Sequence, residues 1–227
     1  MTTPISEVYN MDCLEYMKTI PDKYFDLCIA DPPYGINVAK MTLGNGKNKV
    51  NRGKSDWDIK APEASLFAEI IRVSKKQIIW GANHFISKIP FDSSCWIVWD
   101  KGTGANDFAD CELAWTSFPK TVRKYFQSWV GANAKEKTDK HRIHPTQKPI
   151  ALYSWILDNY ALGGGKIFDP FLGSGSSRIA AYMKGFDFYG CELDKTYFDA
   201  QEERFRKECF GEQKLKNGST IEQMSLF

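Results

Sequence analysis

The sequence predicts an α/β fold in which a doubly wound, mostly parallel sheet is covered by helices on both faces. One observation behind this prediction is that short apolar runs alternate with amphipathic stretches along the chain. Another is that two of the apolar runs lead directly into turns rich in proline or glycine, at residues 31–35 and 169–175. With 227 residues, 43% of them hydrophobic, the chain is long enough for one such domain with a sizeable core.

Strands are predicted from the apolar runs and helices from amphipathic periodicity. In chain order the prediction is a helix at 12–19, a strand at 25–30, a helix at 63–73, strands at 77–80, 95–99 and 112–118, a helix at 149–160, a strand at 166–168, a helix at 176–184, a strand at 187–191 and a helix at 196–210. The last helix carries Glu202–Arg206 and Glu203–Lys207 at i,i+4 spacing, which predicts ion pairs on a solvent-facing surface. A single domain is therefore predicted over residues 1–210, followed by a flexible polar tail at 211–227.

Composition and spacing exclude several classes of protein. No run approaches 18 consecutive apolar residues, so no membrane-spanning helix is expected, and the first residues do not form a secretory signal. The six cysteines contain no Cys-x-x-Cys pair, and we interpret them as small buried residues in a reducing cytoplasm. His84 and His144 have no clustered carboxylate partners in sequence, so no metal site is predicted.

Two segments carry concentrated positive charge in a chain that is nearly neutral overall. Lysine and arginine total 30 against 28 acidic side chains, a net charge of +2. Residues 35–60 hold six basic against two acidic side chains, and residues 119–144 hold seven against two, giving local charges of +4 and +5. Because aromatic residues such as Trp57 and Trp129 are interleaved with these charges, the segments favour a polyanionic partner over merely solvated loops.

A glycine loop follows the predicted strand at 166–168. It reads Asp169-Pro-Phe-Leu-Gly-Ser-Gly175 and leads into a helix, so backbone can approach a ligand and the helix start offers N–H donors. Glu192 follows Gly175 by 17 residues and can accept both hydroxyls of a ribose. Arg178 stands where a dinucleotide fingerprint has its third glycine, and no Gly-Lys-Ser/Thr follows. The pattern favours an adenosyl-type ligand, with a tight structural turn as the alternative.

A rigid turn follows the predicted strand at 25–30. Asp31-Pro32-Pro33-Tyr34 lies directly after it, at the sheet edge where open α/β folds bind ligands. The Asp31 carboxylate and the Pro32 carbonyl accept hydrogen bonds, and neither proline donates a competing N–H. Such acceptors can hold the two hydrogens of an exocyclic amino group while Tyr34 stacks on the attached ring. A proline-rich loop without a chemical role is the alternative.

Together, these two motifs resemble the amino-methylating DNA methyltransferases that use S-adenosylmethionine. Asp31-Pro-Pro-Tyr34 precedes the glycine loop, an order similar to that of the beta group of this family, and His144-Pro-Thr-Gln-Lys148-Pro149 matches the family's additional cofactor motif. Segment 10–15 matches the family's opening segment, which packs near the cofactor adenine, and segments 80–85 and 108–118 are similar to central segments of phage- and prophage-type members. The resemblance spans about residues 8–206 and implies a Rossmann-like sheet of the methyltransferase type, with the two basic segments as inserted loops.

The resemblance also implies roles for the matching residues. Glu192 takes the ribose hydroxyls, Asp12 and Cys13 lie near the adenine, and Gln147 with Lys148 reaches the methionine carboxylate. The implied catalytic residues are Asp31, Pro32, Pro33 and Tyr34. The implied cofactor-binding residues are Asp12, Cys13, Asp31, Gln147, Lys148, Asp169, Phe171, Gly173, Ser174, Gly175 and Glu192.

The implied reaction is direct in-line methyl transfer to the amino group of a flipped-out base in double-stranded DNA. Asp31 resembles the adenine-modifying members, whereas those acting on cytosine more often carry serine, so N6 of adenine is the expected target. A cytoplasmic protein of bacterial or phage origin is expected, and monomer and homodimer both remain open. The basic residues predicted to face DNA are Lys47, Lys49, Arg52, Lys54, Arg123, Lys124, Lys137, Lys140 and Arg142.

Three other functions remain as alternatives. A non-catalytic nucleic-acid binder would not need the intact Asp31-Pro-Pro-Tyr34 turn. Relatives that methylate RNA or protein amides usually carry asparagine in place of Asp31. A dehydrogenase is disfavoured by the missing third glycine.

The C-terminal residues Gln223-Met-Ser-Leu-Phe227 resemble the short peptide by which bacterial replication and repair proteins dock on the DNA sliding clamp. Two adjacent apolar side chains on a flexible tail can enter a partner's pocket. The clamp is therefore a predicted partner, and the alternative is that Leu226 and Phe227 fold back onto the protein's own surface.

Overall fold

The computed structural model describes residues 3–35, 61–103, 109–128, 142–214 and 220–222. The strands are β1 (Ser6–Tyr9), β2 (Phe25–Ala30), β3 (Ser74–Trp80), β4 (Trp96–Asp100), β5 (Cys111–Thr116), β6 (Arg123–Phe126), β7 (Lys166–Asp169), β8 (Asp187–Cys191), β9 (Glu212–Lys214) and β10 (Thr220–Glu222). The helices are α1 (Cys13–Lys18), α2 (Ala64–Val73), α3 (Ile150–Tyr160), α4 (Ser176–Met183) and α5 (Lys195–Phe210). Short 3₁₀ turns lie at Ala82–His84 and Ile86–Lys88. In the part of the chain that the structure describes, no helix is long and apolar enough to cross a membrane.

Eight strands form one sheet in the order β1-β8-β7-β2-β3-β5-β4-β6. The first five strands in this order, from β1 through β8, β7 and β2 to β3, pair in parallel. Strand β5 runs antiparallel to both β3 and β4, and β6 is parallel to β4. The predicted doubly wound, mostly parallel sheet is confirmed.

Apolar side chains cover both faces of the sheet. On β2, Leu27 and Ile29 join a cluster with α3 and α4, whereas Cys28 and Ala30 join a second cluster with α1 and α2. This alternation follows from the two-residue period of a strand. A strand that is apolar on both faces is buried from both sides, which explains its nearly continuous apolar sequence.

Most predicted elements occur within two or three residues of their predicted bounds, and three differences have a physical reason. Ser6–Tyr9 forms the edge strand β1, which was not predicted because its burial alternates and only one face packs. Arg123–Phe126 forms β6, although it lies within the predicted loop at 119–144; it pairs in parallel with β4. Part of the predicted tail also forms secondary structure, since β9 and β10 pair with each other. The clamp-like residues 223–227 lie outside the described residues.

The predicted ion pair between Glu202 and Arg206 is wrong. Glu202 instead accepts a hydrogen bond from Arg178 of α4 at 2.6 Å. Arg178 is buried, and its guanidinium lies 3.8 Å from the centroid of the Phe205 ring. A buried guanidinium needs a carboxylate partner more than an exposed guanidinium does. Glu202 therefore binds the buried Arg178. Helix α5 therefore has one packed face.

The direction of the strands brings several chain segments to one edge of the sheet. The carboxyl ends of β1, β2, β3, β7 and β8 lie together there because these strands are parallel. The antiparallel strand β5 begins at the same edge, since Ala114 pairs with Trp80 at the end of β3. Residues just before Ala114, Glu112 among them, therefore approach the turn after β2.

Candidate active site

A cavity of about 560 Å³ opens at the carboxyl edge of the sheet. Its walls come from the turns after β1, β2, β7 and β8 and from the segment before α3. The predicted site residues that line it are Asp12, Cys13, Asp31, Pro32, Pro33, Tyr34, Gln147, Lys148, Phe171, Gly173, Ser174 and Glu192. Asp169 and Gly175 are not among the lining residues and lie behind the wall. Residues separated by more than a hundred positions in sequence thus share one cavity.

The turn after β2 is fixed by the side chain of Tyr34. Its hydroxyl donates to Asp31 Oδ1 at 2.9 Å, and its ring stacks on His84 with 5.0 Å between centroids and 18° between planes. Gly81 lies against the same ring in a left-handed conformation, and a Cβ added there would lie 2.1 Å from it. Only glycine fits this position, because both the φ of +66° and the close approach exclude a side chain.

Lys148 joins the two motifs through a buried ammonium group. Its side chain is 2% exposed, and Nζ donates to Asp31 Oδ2 at 2.5 Å and lies 3.2 Å from Glu112 Oε2. The other oxygen of Glu112, Oε1, accepts from Lys101 Nζ at 2.9 Å. Two lysines and two carboxylates therefore form one chain of ion pairs. The Lys148 ammonium is directed at these carboxylates, and its predicted contact with a methionine carboxylate stays a prediction.

The pKa shifts of this chain follow from burial and from its neighbours. Burial raises the pKa of Asp31, and the Lys148 ammonium opposes this shift without cancelling it. Burial also pushes the pKa of Glu112 upward, but Lys148 and Lys101 outweigh it and bring the value to about 2. For Lys148, burial alone would lower the pKa, and the two carboxylates raise it. The lysine therefore stays charged at neutral pH.

The glycine loop after β7 is held by Glu192. Its Oε2 accepts from the Gly173 N–H at 2.8 Å and its Oε1 from the Asp194 N–H at 2.9 Å. Asn10 donates to the carbonyl oxygens of Glu192 and Leu193, which ties the end of β1 to the end of β8. The carboxylate thus shapes the loop and faces the cavity at once.

Asp169 supports the same loop from below. It is 1% exposed and accepts hydrogen bonds from Ser177 Oγ at 2.5 Å and from the Phe171 N–H at 2.9 Å. Burial raises its pKa to about 7, because these hydrogen bonds offset only part of the cost of burying its charge. Asp169 therefore holds the loop from behind the cavity wall, and its predicted contact with the cofactor stays a prediction.

Several lining residues were not predicted to bind a ligand, among them His144 and Tyr197. Their rings meet edge to face with 4.3 Å between centroids. Burial and the nearby Lys148 lower the pKa of His144 to about 4, so its ring is neutral at pH 7. Burial raises the pKa of Cys13 to about 12, so it presents a neutral thiol. The signal for His144 was present in the motif that contains Lys148, whereas nothing in the sequence singled out Tyr197.

The charges on the lining favour a cationic ligand with hydroxyl groups. Among the described residues of the wall, four carboxylates face one ammonium group: Asp12, Asp31, Glu192 and Asp194 against Lys148. Asp12 caps α1 by accepting from the N–H groups of Leu14 and Glu15. A volume near 560 Å³ is within the range of pockets that enclose small ligands. The donor set and the size therefore fit S-adenosylmethionine, which carries a sulfonium and a ribose.

Three of the predicted DNA-facing residues can be located. Arg123 and Lys124 are exposed on β6, Arg142 is exposed ahead of α3, and Lys124 lies 3.3 Å from Asp100. Lys47, Lys49, Arg52, Lys54, Lys137 and Lys140 lie outside the described residues.

Comparison with known proteins shows what this chain is similar to. A protein-family model described as a DNA methylase, of the N6/N4 type, matches residues 100–203. The Type II methyltransferase M2.MboI of Moraxella bovis is 25% identical over 88% of this chain and 87% of its own length.

Two solved structures share the fold. The crystal structure of the M1.HpyAVI–SAM complex has a TM-score of 0.57 at 21% identity, covering 87% of this chain and 98% of that one. PvuII DNA methyltransferase, named as cytosine-N4-specific, has a TM-score of 0.57 at 15% identity, covering 90% of this chain and 87% of that one. Residues 100–203 thus match the N6/N4 DNA methylases and nearly the whole chain is similar to a Type II methyltransferase, which supports an S-adenosylmethionine-dependent DNA methyltransferase.

Proposed function

We propose that this protein transfers a methyl group from S-adenosylmethionine to the exocyclic N6 amino group of adenine in double-stranded DNA. The observation that carries the proposal is that Asp31-Pro-Pro-Tyr34 and the glycine loop with Glu192 open onto one cavity. The Asp31 turn is suited to bind an amino group, and the wall with the glycine loop and Glu192 is suited to bind an adenosyl group. Both line the same cavity, so their ligands would lie close together.

Each wall has a role in this proposal. Bound S-adenosylmethionine supplies a methyl group on a positively charged sulfur. Glu192 is suited to the ribose hydroxyls because a carboxylate that already accepts two backbone N–H groups still has free lone pairs. Asp12 and the neutral Cys13 flank the same side. The carboxylates of the wall complement a cationic ligand, and neutral His144 adds no repulsion.

The turn after β2 acts on the base. The amino nitrogen of adenine is a poor nucleophile because its lone pair is delocalised into the ring. Asp31 Oδ1 or Oδ2 and the Pro32 carbonyl accept its two N–H groups, which favours a pyramidal nitrogen with its lone pair directed at the methyl group. Positioning of this kind supplies much of the rate, and Asp31 can take the proton that the methylated nitrogen loses.

The base has to leave the duplex to reach this turn, at a cost of a few kcal/mol. Tyr34 is suited to stack on it, since the tyrosine ring is already fixed by Gly81 and by the hydrogen bond to Asp31. The exposed basic side chains of Arg123, Lys124 and Arg142 would contact the phosphate backbone.

A second candidate is the exocyclic N4 amino group of cytosine. It is favoured by the fold shared with PvuII DNA methyltransferase, which is named for that specificity. The chemistry required of Asp31 and Pro32 is the same for both bases, because each presents an amino group on an aromatic ring. The aspartate at position 31 favours adenine, as the resemblance of the motif implies.

The proposal is tested by incubating the purified protein with S-adenosylmethionine labelled in its methyl group and, separately, with DNA, RNA and a protein mixture. Label is expected in DNA alone, and digestion to nucleosides is expected to give N6-methyldeoxyadenosine. Label in N4-methyldeoxycytidine would support the second candidate. Label in RNA or protein, or in no acceptor, would overturn the proposal.

A further inference from the structure

The ammonium group of Lys148 has two carboxylate partners where one would neutralise it. Asp31 Oδ2 lies at 2.5 Å and Glu112 Oε2 at 3.2 Å, and the lysine side chain is 2% exposed. A buried ammonium cannot fall back on water if one partner leaves, so the second carboxylate matters.

Both carboxylate oxygens of Asp31 already accept a hydrogen bond from the protein itself, with which a target amino group has to compete. Tyr34 donates to Oδ1 and Lys148 donates to Oδ2. A target amino group needs an acceptor that points into the cavity. The carboxylate therefore serves the base best when Lys148 loosens its hold.

We propose that Glu112 is a positioning residue. It retains the Lys148 ammonium beside the active site while the Asp31 carboxylate exchanges its hydrogen bond with Lys148 for one with the amino group of the target base. The inference rests on the proposed function, because it assigns Asp31 a substrate amino group as its second partner. Glu112 acts only through Lys148 and touches neither substrate nor cofactor.

The fold explains how Glu112 reaches this place. Strand β5 runs antiparallel to β3, so its first residues lie at the same edge as the end of β2. Lys101, at the end of β4, binds the other oxygen of Glu112 at 2.9 Å. This second cation keeps the Glu112 carboxylate oriented and charged whether Lys148 lies nearer to it or to Asp31.

The groups that face Asp31 set the direction of a pH test. Lys148 lowers the pKa of Asp31, whereas Glu112 raises it through charge repulsion. Tyr34 donates to Asp31, and burial keeps the hydroxyls of Tyr34 and Tyr153 protonated. Lys148 is also faced by His144, which is neutral at pH 7.

Asp169 also interacts with Asp31, and the Asp31 charge contributes to its raised pKa. Asp169 lies behind the loop and is the same in every variant below. Removing Glu112 therefore shifts the Asp31 pKa downward, and removing Lys148 shifts it upward.

The test compares Glu112→Gln with Glu69→Gln in the full-length protein. Glu69 is a matched control because its side chain is 27% exposed against 24% for Glu112, and it also binds a cation, Arg72, at 2.8 Å. Binding of S-adenosylmethionine is measured by calorimetry, and the rate of labelled methyl transfer to DNA is measured at saturating cofactor.

In Glu112→Gln, Lys148 has Asp31 as its one remaining carboxylate and holds it more tightly. The transfer rate is expected to fall at least about tenfold while the cofactor Kd stays within about twofold. Glu69→Gln is expected to keep the rate within about twofold of the original protein. A Glu112→Gln rate within twofold of the original protein, or a loss shared equally by Glu69→Gln, would overturn the proposal.

The acid limb of the pH–rate profile separates positioning from structural damage. Transfer requires ionised Asp31, so activity falls as the pH drops through its pKa. The limb is expected to move to lower pH in Glu112→Gln and to higher pH in Lys148→Met, and shifts of equal sign would contradict the inference.

If Glu112→Gln does not fold, Glu112→Asp keeps the charge on a shorter side chain, and its rate of methyl transfer is expected to fall about threefold or more at unchanged cofactor Kd. An unchanged Glu112→Asp rate would overturn the inference.

Absence of transfer by the original protein would instead refute the proposed function. The two failures are thereby distinguished, because the inference fails only where the original protein methylates DNA and Glu112 proves irrelevant.

Discussion

The two ends of the cavity hold partly or fully buried carboxylates in different ways. At the end formed by β7 and β8, Asp169 and Glu192 accept hydrogen bonds from backbone N–H groups and a serine hydroxyl. At the end formed by β2 and β5, Asp31 and Glu112 are bound to the ammonium groups of Lys148 and Lys101.

The difference indicates two roles: the carboxyl group of Asp169 fixes the shape of a loop, whereas the carboxylate of Glu112 keeps its negative charge. Hydrogen bonds to neutral groups leave the pKa of Asp169 raised to about 7, so this carboxyl can exist uncharged and still hold its loop. The lysines bring the pKa of Glu112 to about 2 despite its burial. At the second end the proposed chemistry needs Asp31 ionised, and the Lys148 ammonium opposes the rise that burial gives to the pKa of Asp31.

Asp31→Ala is expected to have the largest effect on methyl transfer. It removes the hydrogen-bond acceptor for the target amino group at the end formed by β2 and β5 and leaves the other end unchanged. Methyl transfer should fall by about a thousandfold or more, whereas the Kd for S-adenosylmethionine should change by no more than about threefold. Single-turnover transfer of labelled methyl and calorimetric titration measure the two quantities. Normal turnover in Asp31→Ala would remove Asp31 from the mechanism.

Glu192→Gln is expected to give the opposite pattern at the first end. An amide can accept only one of the two backbone N–H groups now bound by the carboxylate, which leaves the other without a partner in a buried site. The Kd for S-adenosylmethionine should rise about tenfold to a hundredfold, with little change in the rate at saturating cofactor. Glu202→Gln, which alters an ion pair on α5, serves as the control for general loosening. A rate loss without an affinity loss would contradict this assignment.

Asp169→Asn tests whether the Asp169 carboxyl group is uncharged at low pH, through the pH dependence of the free energy of unfolding. A carboxyl whose pKa rises from 3.8 to about 7 on folding stabilises the fold while protonated, and this contribution is lost as the pH rises through that window. The asparagine variant lacks this dependence. Between about pH 5 and pH 8 it should gain about 2 kcal/mol in unfolding free energy relative to the original protein.

Urea unfolding at the two pH values measures this change, with Asp158→Asn as the control, because Asp158 is 60% exposed and paired with Lys184. Equal pH dependence in Asp169→Asn and the original protein would show that Asp169 is ionised throughout.

Lys124→Gln is expected to have the smallest effect, since it lies outside the cavity. The side chain is 65% exposed on β6, so it can contact phosphate. DNA binding should weaken a few-fold at low salt, and the slope of log K against log salt should fall by about one. Lys18→Gln, with a side chain 63% exposed on α1, should leave the slope unchanged. Equal slopes for Lys124→Gln and the original protein would argue against a phosphate contact at β6.

Much of the fold was predictable because its central strands are apolar on both faces. Strand β2 ends at the predicted residue, and the Asp31 turn follows it directly. The edge strands β1 and β6 were missed, since a strand with one open face has no continuous apolar run. The glycine loop and the Asp31 turn were predictable as separate motifs, and the parallel sheet explains their convergence.

The chain of ion pairs was not predictable from sequence. Glu112 lies in an apolar strand without a motif that marks it, and its partner Lys101 is 11 residues away, just after the neighbouring strand β4. Lys148 was recognised within a motif, but its partners depend on the register between β3 and β5. Pairings that arise from strand register require the three-dimensional structure, because a register shift of two residues leaves the same faces of both strands buried.

The most direct test of the account is the nucleoside composition of DNA from cells that express the original protein or Asp31→Ala. Mass spectrometry of the digested DNA is predicted to detect N6-methyldeoxyadenosine with the original protein and none above background with Asp31→Ala, in a host that lacks other adenine methylation. N6-methyldeoxyadenosine at equal levels with both proteins, or no methylated nucleoside with either, would contradict the account.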